Sequence, residues 1–536
     1  MPKEKSSMAD QVLTLEYKLA ELPSAQHRAG LAGLVMMVKW LKKFGEHPGI
    51  CELNSRTETG VILKIDRPGL EGLFGELYAG TKGKLKSKKP FKGKEPDDTE
   101  TREITDPKTG KTKTETYYIY SNVIPKARLI ADLDPSGDGE DGLWVKLWRD
   151  MLWSILRGVP TTRKPFEDSA DGKPIAEVQK VWNYLTKPEG KDIVDLPSTY
   201  FLGAQATNAE NVPFQDRAKY QFLLHFWPYA AQVYEPVVRG NDDKLKSIGY
   251  VLVIPDVAHL ETFCEDFEYA MKQERTSECF GDNGYRPREG VVNLALAGGL
   301  EMLRVLRKRL EELERGKSIS DLVLGVEVVH AEKQGNSIKI LETARITPKE
   351  DQIDEYTRVK KAYKDSVFLE QRLRNVLAEH PWYFGFARLC AIRPFKESFG
   401  SVTFRRDARV AFSAEVDEMT TKHDNDLSVE KLIYEMVNTY LIKKIEDKYR
   451  LKWNEMKTDA QKTEFYEAKE KIAKDVFYGC RSRTGEDFIK YFVLTFGSVN
   501  QSYWLKFESY QKLAKLLYED TEKARSLTLL AISANA

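Results

Sequence analysis

From Lys349 to its last residue the chain holds only helical patterns, whereas before Pro348 strand-like and helical segments alternate. This change of character constrains the fold more than any single motif. YTRVKKAYKDSVFLEQRLRNVLAEH (356–380), SVEKLIYEMVNTYLIKKIEDKYRLKW (428–453), TEFYEAKEKIAKDVFYG (463–479) and EDFIKYFVLTFG (486–497) all place apolar residues at i, i+3, i+4 and i+7. Consecutive amphipathic helices of this kind predict an antiparallel bundle. A chain of 536 residues is too long for one hydrophobic core. The expected architecture is an α+β part with mixed or antiparallel sheets over residues 1–348, with a candidate further division near 140–200, and then an all-α helical bundle over 349–536.

Within the first part, QVLTLEYKL (11–19) and GVILKIDR (60–67) read as strands, and LPSAQHRAGLAGLVMMVKWLKKF (22–44) as a helix capped by Ser24. EITDPKTGKTKTETYYIY (103–120) predicts a hairpin turning at DPKTG. Residues 141–158 and 173–187 have helical spacing. SIGYVLVIPDVAHLETFCEDFEYAMKQE (247–274) reads as a strand, a break at Pro255 and a helix. A long helix ending at Gly316 and a hairpin turning at Gln334 to Asn336 complete this part.

Hydrophobic residues at 41% and charged residues at 31% exclude a disordered chain. No run of about 18 apolar residues predicts a membrane span, and the first residues lack a signal-peptide core. The five cysteines are far apart with no CxxC pair, which fits a reducing, cytoplasmic setting without structural zinc. No HExxH, GxSxG or strand-linked GxGxxG occurs, and no nucleophile, base and oxyanion donor assemble. The sequence therefore predicts no enzyme, cofactor or metal. DLDPSGDGED (132–141) begins like a calcium loop, yet Leu143 stands where the bidentate Glu belongs. A solvated acidic turn is the simpler reading, and a metal-dependent nuclease using Asp132, Asp134 and Asp138 is the enzymatic alternative. His225 and His330 read as satisfied strand residues.

The 83 basic and 82 acidic side chains nearly cancel, so nucleic-acid binding has to be read from their distribution. TKGKLKSKKPFKGK (81–94) carries Lys82, Lys84, Lys86, Lys88, Lys89, Lys92 and Lys94 with no acid between them. It reads as a flexible basic loop for phosphates, or as a solvated loop serving solubility. RLCAIRPFKESFGSVTFRRDARV (388–410) carries Arg388, Arg393, Lys396, Arg405, Arg406 and Arg409, interleaved with Phe395, Phe399 and Phe404. Arginine beside aromatics suits phosphate contact with stacking, although phenylalanine at such spacing also builds cores. GAQATNAENVPFQDRAK (203–219) is different in kind: it joins two predicted strands, STYFLG (198–203) and YQFLLHFWPY (220–229), through Gln205, Asn208, Asn211 and Gln215. Amides pair with base edges, and they also tie loops down through Asx turns.

LPSAQHRAGLAGLVM (22–36), GAQATNAENVPFQDRAKYQFLLHFWP (203–228) and GYVLVIPDVAHLETFCEDF (249–267) resemble the large subunit of the Cascade complex of type I CRISPR systems, in the MYXAN or type I-B group. The resemblance runs in order from about residue 12 onward. It implies a subunit that reads the protospacer-adjacent motif, helps to open the duplex and guides the displaced strand. The implied partners are guide CRISPR RNA, target double-stranded DNA, and the backbone, guide 5′-handle-binding and small subunits of the complex. A helicase-nuclease or transposition proteins would act downstream. It also implies that residues 419–536 resemble the small subunit, and a second product is expected to begin at Met419, since Glu415-Val416 can be encoded as GAGGTN, a ribosome-binding sequence, shortly before that codon. The roles carry over without a residue correspondence, so the amides and lysines above remain readings of this sequence. A purely protein-binding scaffold is the third alternative.

Overall fold

Ser24 has an extended backbone, and its hydroxyl accepts from the His27 main-chain N–H at 3.4 Å to open the helix Ala25–Phe44. In this computed structural model the described residues are 11–536, apart from 46, 106–111, 138, 157–162, 189, 197–213, 240–243, 282–283, 314–315, 317, 336, 421–427 and 498–506. They form two compact units, Met1–Glu350 and Asp351–Ala536. The first contains sheets and helices, and the second is helical.

In the first unit, β1 (Leu13–Lys18), β2 (Cys51–Arg56) and β3 (Gly60–Ile65) form an antiparallel sheet in the order β1-β3-β2. β4 (Gly80–Ser87), β5 (Asp98–Thr105) and β6 (Thr112–Pro125) form a second, β4-β6-β5, and β7 (Ile193–Leu196) pairs with β8 (Phe214–Arg217). The main sheet holds β9 (Gln232–Arg239), β10 (Leu245–Ser247) and β11 (Tyr250–Val257). After the pair β12 (Glu278–Gly281) and β13 (Gly284–Pro287) and the short β14 (Val291–Val292), it is completed by β15 (Val323–Gln334) and β16 (Ser337–Ile346). Its order is β10-β9-β11-β15-β16, with β14 parallel to β9.

Every residue of β11 is buried, so both faces of the strand are covered. The helices Ala25–Phe44 and Ala297–Glu312 pack on it. Gly30 and Gly33 lie against the main chain of Leu223 and Phe226, where a Cβ would collide. The buried Asp256 carboxylate is held by Arg28 and by Arg345 at 2.5 Å, and the buried Glu235 by Arg286 at 3.2 Å. Charges this deep require partners.

Three local expectations change. The predicted break at Pro255 is absent: β11 runs through it, opposite Val326 of β15. β9 pairs only with Val251–Val253, so the missing proline donor falls where that side of β11 has no ladder partner. The predicted strand YQFLLHFWPY is instead the helix Ala218–Leu223 followed by tight turns. Residues 221–231 are all buried, and a short apolar run covered on every side cannot be assigned by periodicity. His225 therefore lies in a turn, its Nδ1 2.6 Å from the Tyr78 hydroxyl among Phe74, Phe222 and Phe226. His330 does sit on a strand, with Nε2 2.8 Å from the Ile248 carbonyl.

The second unit is built around the helix Thr521–Asn535, whose residues 524–535 are all buried. Its last nine residues, LTLLAISAN, are mostly apolar or small all round, as a helix surrounded by others must be. The helices Phe386–Ile392, Val402–Thr420, Val429–Tyr449 and Asp459–Arg481 pack against it. Ser526 accepts from the Ala387 N–H at 3.2 Å, and Arg525 donates to the Arg481 carbonyl at 2.9 Å. The predicted continuous pattern over 356–380 is divided into Glu350–Ala362 and Ser366–Leu377, because the Asp365 carboxylate caps the second helix through Val367 and Phe368.

Candidate nucleic-acid interface

The lysine stretch is not an open loop. Its first half is β4, where the two-residue period puts Lys82, Lys84 and Lys86 on one face. Its second half folds back because Phe91 stacks on Tyr120 at 4.4 Å and donates its N–H to the Tyr120 hydroxyl at 2.8 Å. The repulsion expected to hold the stretch open is offset by carboxylates on neighbouring elements. Lys82 pairs with Asp171 at 3.0 Å, Lys86 with Glu100 at 2.5 Å and Lys88 with Glu115 at 2.7 Å. Hydrogen bonds from Lys173 and Lys82 hold the Asp171 carboxyl down at about 2. Lys94 lies over the Tyr120 ring at 5.7 Å. Lys84, Lys89 and Lys92 are exposed with no ion pair among the described residues.

Gln205, Asn208 and Asn211 lie outside the described residues, as does the predicted strand STYFLG. Their stem is described. β7 and β8 pair from Ile193↔Arg217 to Leu196↔Phe214, and Gln215 donates to the Asp195 carboxylate at 3.0 Å. Asp216 meets His27 Nε2 at 3.0 Å, and the Ala218 N–H reaches the Asp192 carbonyl at 2.7 Å. The short ladder on either side of residues 197–213 is thus anchored to the buried helix Ala25–Phe44.

In the helical unit the arginine-rich stretch divides by direction. Phe399 and Phe404 are core residues. Arg405 pairs with Glu470 at 2.8 Å, Arg406 donates to the Ala362 carbonyl at 2.7 Å and binds Asp407, and Arg409 donates to the Ala534 carbonyl at 2.9 Å. Arg388, Arg393 and Lys396 face solvent. Arg393 has Glu397 at 3.5 Å, while Arg388 and Lys396 have no ion pair among the described residues. Arg388 and Arg393 line an open cavity of about 790 Å³ with Arg374, Tyr383, Phe384 and Lys523. Lys523 is shared between Glu430 at 2.9 Å and the Tyr383 ring. Beside it Phe395 stacks on Tyr478 at 4.9 Å with Lys474 over the ring at 5.4 Å. Periodicity gave no hint of Tyr383, Phe384, Lys474 or Tyr478. An aromatic and a cation four residues apart on the outer face of one helix was the available signal for the last two.

Asp134 is buried, and its carboxylate accepts from the N–H groups of Ser136 (3.0 Å), Trp144 (2.8 Å) and Val145 (3.2 Å). It tethers the start of the helix Leu143–Met151, so this one acid is buried within a turn that otherwise exposes Asp132, Glu140 and Asp141, as a solvated acidic turn does. Asp132 pairs with Lys272 at 3.2 Å, and Asp138 lies outside the described residues. No group of three metal-ligating side chains converges among the described residues. Burial pushes the thiols of Cys51, Cys264, Cys390 and Cys480 up to about 12, far from a reactive thiolate. Among the described residues no helix is long and apolar enough to cross a membrane. Met419 lies in the last turn of the helix Val402–Thr420, its side chain outside the described residues.

Two family models match the chain: the type I-B CRISPR Cas8b N-terminal domain over residues 50–316 and the type I-B CRISPR Cas8b C-terminal domain over residues 323–535. No curated protein matches. Since the two matches take up most of the sequence, in order and without overlap, the chain belongs to the type I-B CRISPR Cas8b family, a large subunit of an RNA-guided type I-B complex.

Proposed function

We propose that this large subunit is non-catalytic, reads the protospacer-adjacent motif with the amides Gln205, Asn208, Asn211 and Gln215, and supports the opened duplex with two separate sets of cations. Lys84, Lys89 and Lys92 attract the duplex backbone, and Arg388, Arg393 and Lys396 attend the displaced strand. The observation that carries this reading is the sorting in the helical unit. Three arginines are committed to acceptors within the fold, while Arg388, which shares a cavity with the exposed Phe384 and Ile392, and the exposed Lys396 have no ion pair among the described residues. Cations with accessible rings suit a single strand, which offers phosphates and unstacked bases together. A paired stem held to the helix Ala25–Phe44 suits base reading, because a reader must hold its register.

Guide RNA, target DNA and the other subunits are the proposed partners, with a helicase-nuclease or transposition proteins recruited later. The nuclease reading is weakened because Asp134 has its oxygens filled by three N–H groups. A second product beginning at Met419 belongs to the same proposal, and mass spectrometry of the native complex would detect it or sink it. The test of motif reading is target binding by Asn208→Ala and Asn211→Ala. Each should lose about 5- to 100-fold on the cognate motif and little on a non-cognate one. Equal losses on both would make the loop structural.

A further inference from the structure

The helix Val429–Tyr449 ends at Arg450 in the left-handed conformation (φ +58°), and the chain turns through Trp453–Glu455 before the next long helix. Both ends of this turn are clamped. Lys452 pairs with Glu455 at 3.1 Å, and Thr458 and Gln461 cap the helix Asp459–Arg481 reciprocally. The turn holds Trp453 against Phe465 and Tyr466, with ring centroids 5.3 and 5.6 Å away. Phe465 is buried, but Trp453 is 45% and Tyr466 56% exposed, so neither ring is spent on the core. They border a cavity of about 490 Å³ that also meets Glu446, Asn454 and Lys469.

The charges select the occupant. Glu446 and Glu455 are balanced by Lys452 and Lys469, so the lining is formally neutral and two carboxylates oppose a phosphate. A neutral flat ring with N–H donors fits: it stacks on the aromatic walls and donates to a carboxylate or to Asn454. A track leads away along the same helix. Tyr466, Glu470, Lys474 and Tyr478 follow one another at four-residue steps and are all exposed. Glu470 is neutralised by Arg405, and Lys474 and Tyr478 meet at Phe395. The twelve residue steps from Tyr466 to Tyr478 rise about 18 Å, room for a few nucleotides of single strand.

We propose that the Trp453–Tyr466 cavity takes one unstacked nucleobase of a single strand whose backbone continues past Lys474 toward Lys396. This rests on the reading above that the helical unit follows a single strand. The test is full-length protein titrated with single-stranded oligodeoxynucleotides in which one abasic site is moved along the sequence. Wild type should show a position where the abasic site weakens binding about tenfold, the range of one base–aromatic stack. Trp453→Ala should bind the intact oligonucleotide about tenfold more weakly and ignore the abasic position. Tyr466→Ala, at a more exposed site, repeats the measurement if Trp453→Ala fails to fold. An unchanged abasic profile in both variants overturns the cavity assignment. If Arg388→Ala with Lys396→Ala still weakens binding there, the single-strand reading stands and the base pocket alone falls. No binding of single strand by wild type overturns both. Loss of another subunit from the assembled complex, with oligonucleotide binding intact, makes the occupant a peptide and overturns the nucleobase.

Discussion

Residues 81–94 carry their lysines on one strand of a three-stranded sheet and on the segment that folds back from it, whereas residues 388–409 carry their arginines into a unit organised around one buried helix. On the sheet, alternation turns Lys82, Lys84 and Lys86 outward, and the partners of Lys82 and Lys86 are half-buried carboxylates. In the helical unit the same kind of charge is used for structure: Arg405, Arg406 and Arg409 bind acceptors within the fold, and Asp407 is fully buried. Charge on the sheet can therefore be changed with little effect on folding. In the helical unit, binding and stability share one segment and must be separated residue by residue.

The largest effect expected from this difference is on fragments. Residues 351–536 should melt cooperatively alone, whereas 419–536 should not, because the buried helix Thr521–Asn535 would lose the helix Phe386–Ile392 and nearly all of Val402–Thr420. Cooperative melting of 419–536, followed by circular dichroism, would show that those helices are dispensable and that a product from Met419 needs no partner to cover that face. Next comes Asp407→Ala. Its carboxylate accepts from the Lys364 and Asp365 N–H groups, both at 2.7 Å, so leaving these donors unsatisfied should cost roughly 3 kcal/mol in urea denaturation. Changing Lys84, Lys89 and Lys92 together to alanine should instead leave stability within about 0.5 kcal/mol. It should flatten the salt dependence of duplex binding, lowering the slope by up to about 3. A large stability loss in this triple variant would place the lysines in the fold and erase the contrast.

The smallest effect is one of pH. Burial, with a lesser push from Lys180, holds the His225 imidazole down at about 3. The unfolded chain takes up that proton near pH ~6.5, so stability of the first unit should fall as pH drops from about 6.5 toward about 3. His225→Gln should shrink that slope by up to one proton, as measured by denaturation across the window.

The elements legible in the sequence were those set by neighbours along the chain. Ser24 as a cap, the 103–120 hairpin, the β15–β16 hairpin and the helical character after Pro348 depend on side-chain period and turn residues within a few positions. The fully buried run at 221–231 lost its period because every face is covered. The family models also divide the chain at 323, the first residue of β15, yet β15 and β16 complete the main sheet of the first unit, which ends at Glu350. A strand order is fixed by partners far away in sequence, and no local pattern carries it.

The candidate site divides in the same way. The sequence by itself located the cation-rich and amide-rich stretches, since composition is local. Tertiary structure decided which of those side chains remain available. Lys82 meets Asp171, Lys88 meets Glu115 and Arg409 meets Ala534 only after folding brings distant segments together. It also turned Trp453 and Tyr466 toward a shared cavity, because a left-handed Arg450 and a clamped turn reverse the chain between two helices. Periodicity predicts which residues lie along one face of an element, but the fold alone sets what that face meets.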